Sequence, residues 1–216
     1  MKNLLFILVC AMSLSSCEEQ VRYGNFEGQF DGQFEGNVVA PVAPVARRRL
    51  KSLVRNGSFE RREVVGNNNW DVLESLPGWR VDRNQSDAGI ELQEGLGIAG
   101  LSPSHGLFKV QLDAHAKNGF TETDVVMYQK ICKLEVGARY EVQFKIASYN
   151  GNGATSQVEV FFGGRKVKTF DSDVRGWQTV RFRRKARAKC QKLSFVSSPD
   201  NDTHGAYLDD VRMYKL

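Results

Sequence analysis

The sequence predicts an all-β protein, an antiparallel jelly-roll β-sandwich, on three observations. Apolar and polar residues alternate over short runs at 90–92, 107–112, 125–131, 139–147, 157–162, 166–170, 178–185, 192–197 and 206–214, all rich in β-branched and aromatic residues. Glycine-containing breaks separate many of them: Asn118-Gly119, Asn150-Gly151-Asn152-Gly153, Gly163-Gly164 and Arg175-Gly176. No segment reads as a long helix, so the crossovers that parallel strands need are missing. Phe162-Gly163-Gly164-Arg165 is spaced as a tight hairpin turn.

The chain opens differently. Met1-Lys2-Asn3 is a short basic segment, and residues 4–14 are apolar, too short for a bilayer span and suited to a signal sequence. Leu14-Ser15-Ser16-Cys17 resembles a bacterial lipobox. That resemblance implies cleavage after residue 16, lipidation of Cys17 and an exported, membrane-anchored protein. The alternative is an ordinary secretory signal cut near Ser16. Glu18 in the second mature position favours the outer membrane of a bacterial envelope.

Residues 17–50 read as a tether. From Tyr23 a four-residue repeat sets Phe26, Phe30 and Phe34 among Gly24, Gly28, Gly32 and Gly36. The phenylalanines have helical spacing, but each glycine costs a helix about 1 kcal/mol relative to alanine. Residues 38–46 are Val-Val-Ala-Pro-Val-Ala-Pro-Val-Ala, a polyproline II composition. Arg47-Arg48-Arg49-Leu50-Lys51 closes the tether with positive charge. A second reading docks the Phe repeat on a protein partner and the basic run on anionic headgroups.

Residues 51–216 suffice for one core. Asn56-Gly57-Ser58-Phe59-Glu60 near the front and Tyr207-Leu208-Asp209-Asp210-Val211 at the end place a carboxylate at each boundary. First and last strands lying side by side would gather those carboxylates. Between 179 and 190, Arg181, Arg183, Lys185, Arg187 and Lys189 take odd positions, while Val180, Phe182, Ala186, Ala188 and Cys190 take even ones. Read as one strand, this predicts a basic solvent face and a core-facing Cys190.

Export moves the chain to an oxidising compartment. Cys10 leaves with the signal and Cys17 takes lipid, which leaves Cys132 and Cys190 for one disulfide. Two buried thiols are the alternative. Zinc is disfavoured, since neither cysteine has a CxxC partner or a histidine at ligand spacing.

A series of short motifs runs along residues 51–216. It comprises Leu53 to Glu60, Leu76-Pro77-Gly78-Trp79, Ile90-Glu91-Leu92, His105-Gly106, Val110-Gln111-Leu112-Asp113, Tyr128-Gln129, Gly137-Ala138-Arg139-Tyr140, Gly176-Trp177-Gln178 and Gly205 to Val211. In this order they resemble the galactose-binding-domain-like jelly rolls, nearest the DUF642-type domains and more distantly carbohydrate-binding modules of families 4, 9 and 22. The resemblance implies a structural calcium between the opening and closing motifs. Glu60 and Asp209 would give side-chain oxygens and Ser58 a backbone carbonyl. Asp210 points to the other face of a regular strand and is the weaker ligand.

The resemblance also implies carbohydrate. A sugar site stacks the apolar C–H face of a ring on an aromatic side chain and pairs hydroxyls with polar groups. Trp70, Trp79, Tyr149 and Trp177 are the aromatic candidates, and Asp113, His115, Asn150 and Asn152 the polar ones. Trp79 and Trp177 equally suit packing. Trp70, after Asn67-Asn68-Asn69, reads as an exposed loop residue.

Enzyme readings find little support: HExxH, GxSxG, the P-loop and CxxC are all missing, and the three histidines are scattered. Thirty Lys and Arg against 25 Asp and Glu give a formal charge of +5. That charge suits an acidic envelope polysaccharide or a solvated strand face. Nucleic acid fits poorly, for want of an aromatic-basic motif. The reading is a lipid-anchored, non-catalytic carbohydrate-binding sandwich. Its rival is an adhesion module with a protein partner.

Overall fold

A computed structural model describes residues 51–61, 69–85, 87–97, 100–114, 124–148, 156–172, 176–197 and 205–216. Cys17, the tether, His115, Tyr149, Asn150 and Asn152 lie outside the described residues. The chain divides into two units, 1–46 and 47–216, and every described residue belongs to the second.

The described residues form twelve strands: β1 (Trp70–Leu73), β2 (Ser75–Leu76), β3 (Trp79–Val81), β4 (Ile90–Glu94), β5 (Phe108–Gln111), β6 (Val126–Cys132), β7 (Arg139–Ala147), β8 (Gln157–Phe162), β9 (Arg165–Asp171), β10 (Gln178–Lys185), β11 (Cys190–Ser197) and β12 (Tyr207–Lys215). Two six-stranded sheets result. Sheet 1 runs β1-β4-β5-β12-β7-β10, sheet 2 runs β2-β3-β6-β11-β8-β9, and the pairings are antiparallel. The architecture is the predicted all-β sandwich.

Alternation decides which face each sheet buries. Ile90, Leu92, Val110, Val142, Phe144, Ile146 and Leu208 of sheet 1 meet Trp79, Met127, Ile131, Val160, Leu193 and Phe195 of sheet 2 in one apolar core. Phe144 packs edge-on against Phe195 at 5.1 Å and Phe170 at 5.7 Å between ring centres. Such pairs add about 0.5–1.5 kcal/mol to area burial. β8 and β9 join through Gly163-Gly164, both at positive φ, as the tight turn requires.

Two expectations are corrected. Residues 179–190 are not one strand. β10 ends at Lys185, Ala186 hydrogen-bonds Ala138, and the chain crosses to sheet 2 before Cys190 opens β11. Parity does not survive a change of sheet, so Cys190 is exposed rather than core-facing. It stands opposite Cys132 in the β6–β11 register, and the two form the expected disulfide. Trp70 is not a loop residue either. It opens edge strand β1 opposite Gln93 and is half-buried.

The NGSFE segment runs beside β12 as expected, although it is not itself a strand. Leu53 donates its N–H to the Met213 carbonyl and Val211 donates to the Gly57 carbonyl, both at 2.8 Å. Asn56 fastens this segment to Leu76-Pro77-Gly78-Trp79. Its Nδ2 donates to the Pro77 carbonyl at 3.0 Å, and its own carbonyl accepts Trp79 Nε1 at 2.9 Å. Asn56 and Phe59 both adopt left-handed backbone, φ 50° and 62°. For phenylalanine this costs on the order of 1–2 kcal/mol. Complete burial of the ring against Trp79 offsets that with about 2–3 kcal/mol.

Candidate functional site

Glu60 and Asp209 do converge, and what lies between them is a loop. The Glu60 carboxylate accepts the N–H groups of Leu107 and Phe108 at 3.0 Å. Asp209 Oδ2 accepts the N–H and hydroxyl of Ser104, both at 2.8 Å, and the His105 N–H at 2.9 Å. Asp209 Oδ1 accepts the Asp210 N–H at 2.6 Å. Gly106, at φ +72°, presses so close to Glu60 that a Cβ there would sit 2.3 Å from its carboxyl carbon. Two carboxylates thus clamp residues 104–108 ahead of β5.

This arrangement does not fit a calcium site. Calcium draws on oxygen lone pairs, and here those lone pairs face N–H and O–H donors. Among the described residues no three His, Cys, Asp or Glu side chains gather as a metal centre. Asp210 turns away: a bulge interrupts the register between Asp209 and Arg212, and Asp210 Oδ1 accepts Arg212 Nε at 2.6 Å. Ser58 sits half-buried in the same segment.

Asp209 belongs to a buried polar layer on the face of sheet 1 away from the core. Glu91, Gln93, Lys109, Gln111 and Tyr207 share it, all fully buried. Gln93 Nε2 donates to Glu91 Oε1 at 2.6 Å and to Gln111 Oε1 at 2.8 Å, and Lys109 Nζ donates to the Gly95 carbonyl at 3.0 Å. Burial raises the Asp209 pKa to about 6 against the pull of its Ser104, His105 and Asp210 donors. Burial also lowers Lys109 to about 8, while the Asp209 and Glu91 carboxylates hold it up. Alternation alone marks these positions as solvent-facing.

The sugar candidates separate. The Trp79 ring is fully buried between Phe59 and Phe195, 5.8 and 5.9 Å from ring centre to ring centre, and no ligand can stack on it. Asp113 is buried at an isolated bridge to Asp124. Trp177 is half-buried, its Nε1 bonded to the Ser102 carbonyl at 2.8 Å. Trp70 lies at the outer edge of sheet 1, in the edge strand β1.

A groove of about 880 Å³ lies on the outer face of sheet 2. Arg80 of β3, Tyr128 and Lys130 of β6 and Lys192 of β11 point outward there, because Trp79, Met127, Gln129, Ile131 and Leu193 between them point into the core. Arg80 and Ser194 flank Tyr128 in register, and Lys192 stands opposite Lys130. Arg55 forms one wall. Buried Gln129 fixes it by accepting the Arg55 N–H and donating to its carbonyl, both at 2.8 Å. Lys192 Nζ lies 4.2 Å from the Tyr128 ring centre and 3.1 Å from Asp82 Oδ2. Arg55, Arg80, Lys130 and Lys192 therefore share the groove with the Tyr128 ring, and Asp82 pairs with Lys192 beside it. The Tyr128-Gln129 motif was in view in the sequence. Its neighbours were not, because register, not sequence distance, brings Arg55, Arg80 and Lys192 beside it.

No family model matches the chain. The multifunctional-autoprocessing repeats-in-toxin proteins of Vibrio cholerae and Vibrio vulnificus are each 26% identical to it, over 159 and 161 residues. Those matches take in 73% and 74% of this chain but only 3% of each relative's length. Among solved structures, a family 61 carbohydrate-binding module (TmCBM61) in complex with β-1,4-galactotriose is 15% identical, covering 77% of this chain and 99% of that one, at a TM-score of 0.46. A family 35 carbohydrate-binding module from Clostridium thermocellum is 12% identical over 68% of this chain and 98% of its own, at 0.42. A family 4 module covers 76% and 99% at 17% identity and 0.38.

Proposed function

We propose that this chain is a non-catalytic binding module for acidic carbohydrate, and that the groove on sheet 2 is its binding face. The observation that supports this reading is the grouping of Tyr128 with Arg55, Arg80, Lys130 and Lys192 along one concave strand face. The tyrosine ring offers an amphipathic surface for a sugar. Guanidinium forks pair in two-pronged fashion with the carboxylates of uronic acids, and the lysines add charge without fixed geometry. An extended groove on rigid strands suits a polymer segment better than a single small molecule.

Binding of the full chain to an array of neutral and uronate-containing oligosaccharides tests the reading. Acidic oligosaccharides should bind, and Tyr128→Ala and Arg80→Ala should each weaken them by about tenfold, the worth of one good polar or ring contact. Failure to bind any glycan would overturn the proposal.

A further inference from the structure

Away from the groove, on the rim where β7 starts and β10 ends, Arg139, Arg183, Arg184, Lys185 and Arg187 line a second cleft of about 390 Å³. We infer that this cleft is a separate oxyanion site, built for a phosphate-type group carrying more than one negative charge. Lys185 and Arg139 stand directly opposite in the antiparallel register. Like charges so placed repel, and an anion held between them removes that repulsion. These five lining residues are all cationic, and one of them is paired: Glu141 Oε2 accepts Arg183 Nε at 2.8 Å.

Arg184 is held in position without being neutralised. It falls on the core side of the alternation, yet at the sandwich edge its guanidinium reaches across to sheet 2. Nη2 donates to the Val167 carbonyl of β9 at 3.2 Å and Nη1 to the Arg183 carbonyl at 3.0 Å. The group lies 5.9 Å from the centre of the Phe182 ring. Carbonyls and a ring face orient the fork and leave its charge for a ligand. Arg187 is set by its own N–H, which donates to Gln191 Oε1 at 3.0 Å in the turn between the sheets. Arg181, two residues back on β10, lies outside the cleft, its Nε bonded to Gln143 Oε1 at 3.0 Å.

Titration calorimetry of the full chain with tripolyphosphate tests the site. Saturable binding is expected. It should weaken by about tenfold or more in Arg139→Ser/Lys185→Ser and in Arg187→Ser, and stay unchanged in Arg181→Ser, which removes the same single charge as Arg187→Ser but from outside the cleft. Vesicles of phosphatidylcholine with and without phosphatidic acid distinguish the source. Binding to acidic vesicles that the double variant loses marks the phosphate as a lipid headgroup's. Binding of tripolyphosphate without vesicle binding marks it as soluble or polymer-borne. No saturable binding by wild type, or equal weakening by Arg181→Ser, would overturn the inference. The groove variants Tyr128→Ala and Arg80→Ala should leave tripolyphosphate binding intact, so the two sites fail separately.

Discussion

Glu60 and Asp209 are loop clamps, and their chemistry as hydrogen-bond acceptors sets what each substitution does. A carboxylate that accepts backbone N–H groups contributes more than a neutral acceptor, but Glu60 is only half-buried and solvent screens part of the gain. Glu60→Ala should therefore lower unfolding stability by about 1–2 kcal/mol in urea titrations. Addition of a chelator should leave the wild-type midpoint where it was. A midpoint that falls with chelator, and no longer does so in Glu60→Ala, would restore the calcium reading. Asp209 adds a pH signature. The folded state keeps its proton up to about pH 6, whereas the ordinary aspartate value is 3.8. Between those values the unfolded state binds fewer protons, so this residue's contribution falls as pH rises. Relative to Asp209→Asn, wild type should lose on the order of 2 kcal/mol between about pH 4 and pH 6. A difference that stays flat across that range would contradict a protonated, buried Asp209.

At the scale of elements, the connections decide what alternation cannot. The basic run from Arg181 to Lys189 looks like one strand because its charges keep period two across the 186–189 turn. Nothing in the pattern announces that the chain changes sheet there. The disulfide sits where that change ends, tying the first residue of β11 to the last of β6 across 58 residues. Closing a loop of that length restricts the unfolded chain by about 4 kcal/mol. Cys132→Ser/Cys190→Ser should lower stability by up to that amount, read by denaturant titration without reductant. An equal midpoint for the variant and the oxidised wild type would show that the bond does not stabilise the fold. Asn56 works at the same scale. One side chain and its carbonyl join the opening segment to the Leu76–Trp79 turn.

For the whole molecule, the strand runs from 90 onward and the Gly163-Gly164 hairpin were legible because period-two alternation is a local property, as was the cysteine pair once the other two were assigned elsewhere. β1 to β3 were not legible, being two to four residues long and broken by Pro77-Gly78. Trp79 shows the limit at a site: an aromatic residue is equally suited to a core or to a sugar, and only packing against Phe59 and Phe195 chose the core. The reverse holds for Arg80 and Lys192. Neither carries a signal in sequence, yet they share a groove with Tyr128 because three strands from distant parts of the chain pair side by side. By itself the sequence determined the all-β class and most of the strands, and it pointed to the cysteine pair and the meeting of the two terminal motifs. Each follows from local periodicity or from counting residues. Only the tertiary structure decided what the two acidic motifs hold, which aromatics face solvent and where positive charge gathers. Those are questions of which backbone donors and which neighbouring strands approach a side chain, and that is set by register and sheet order.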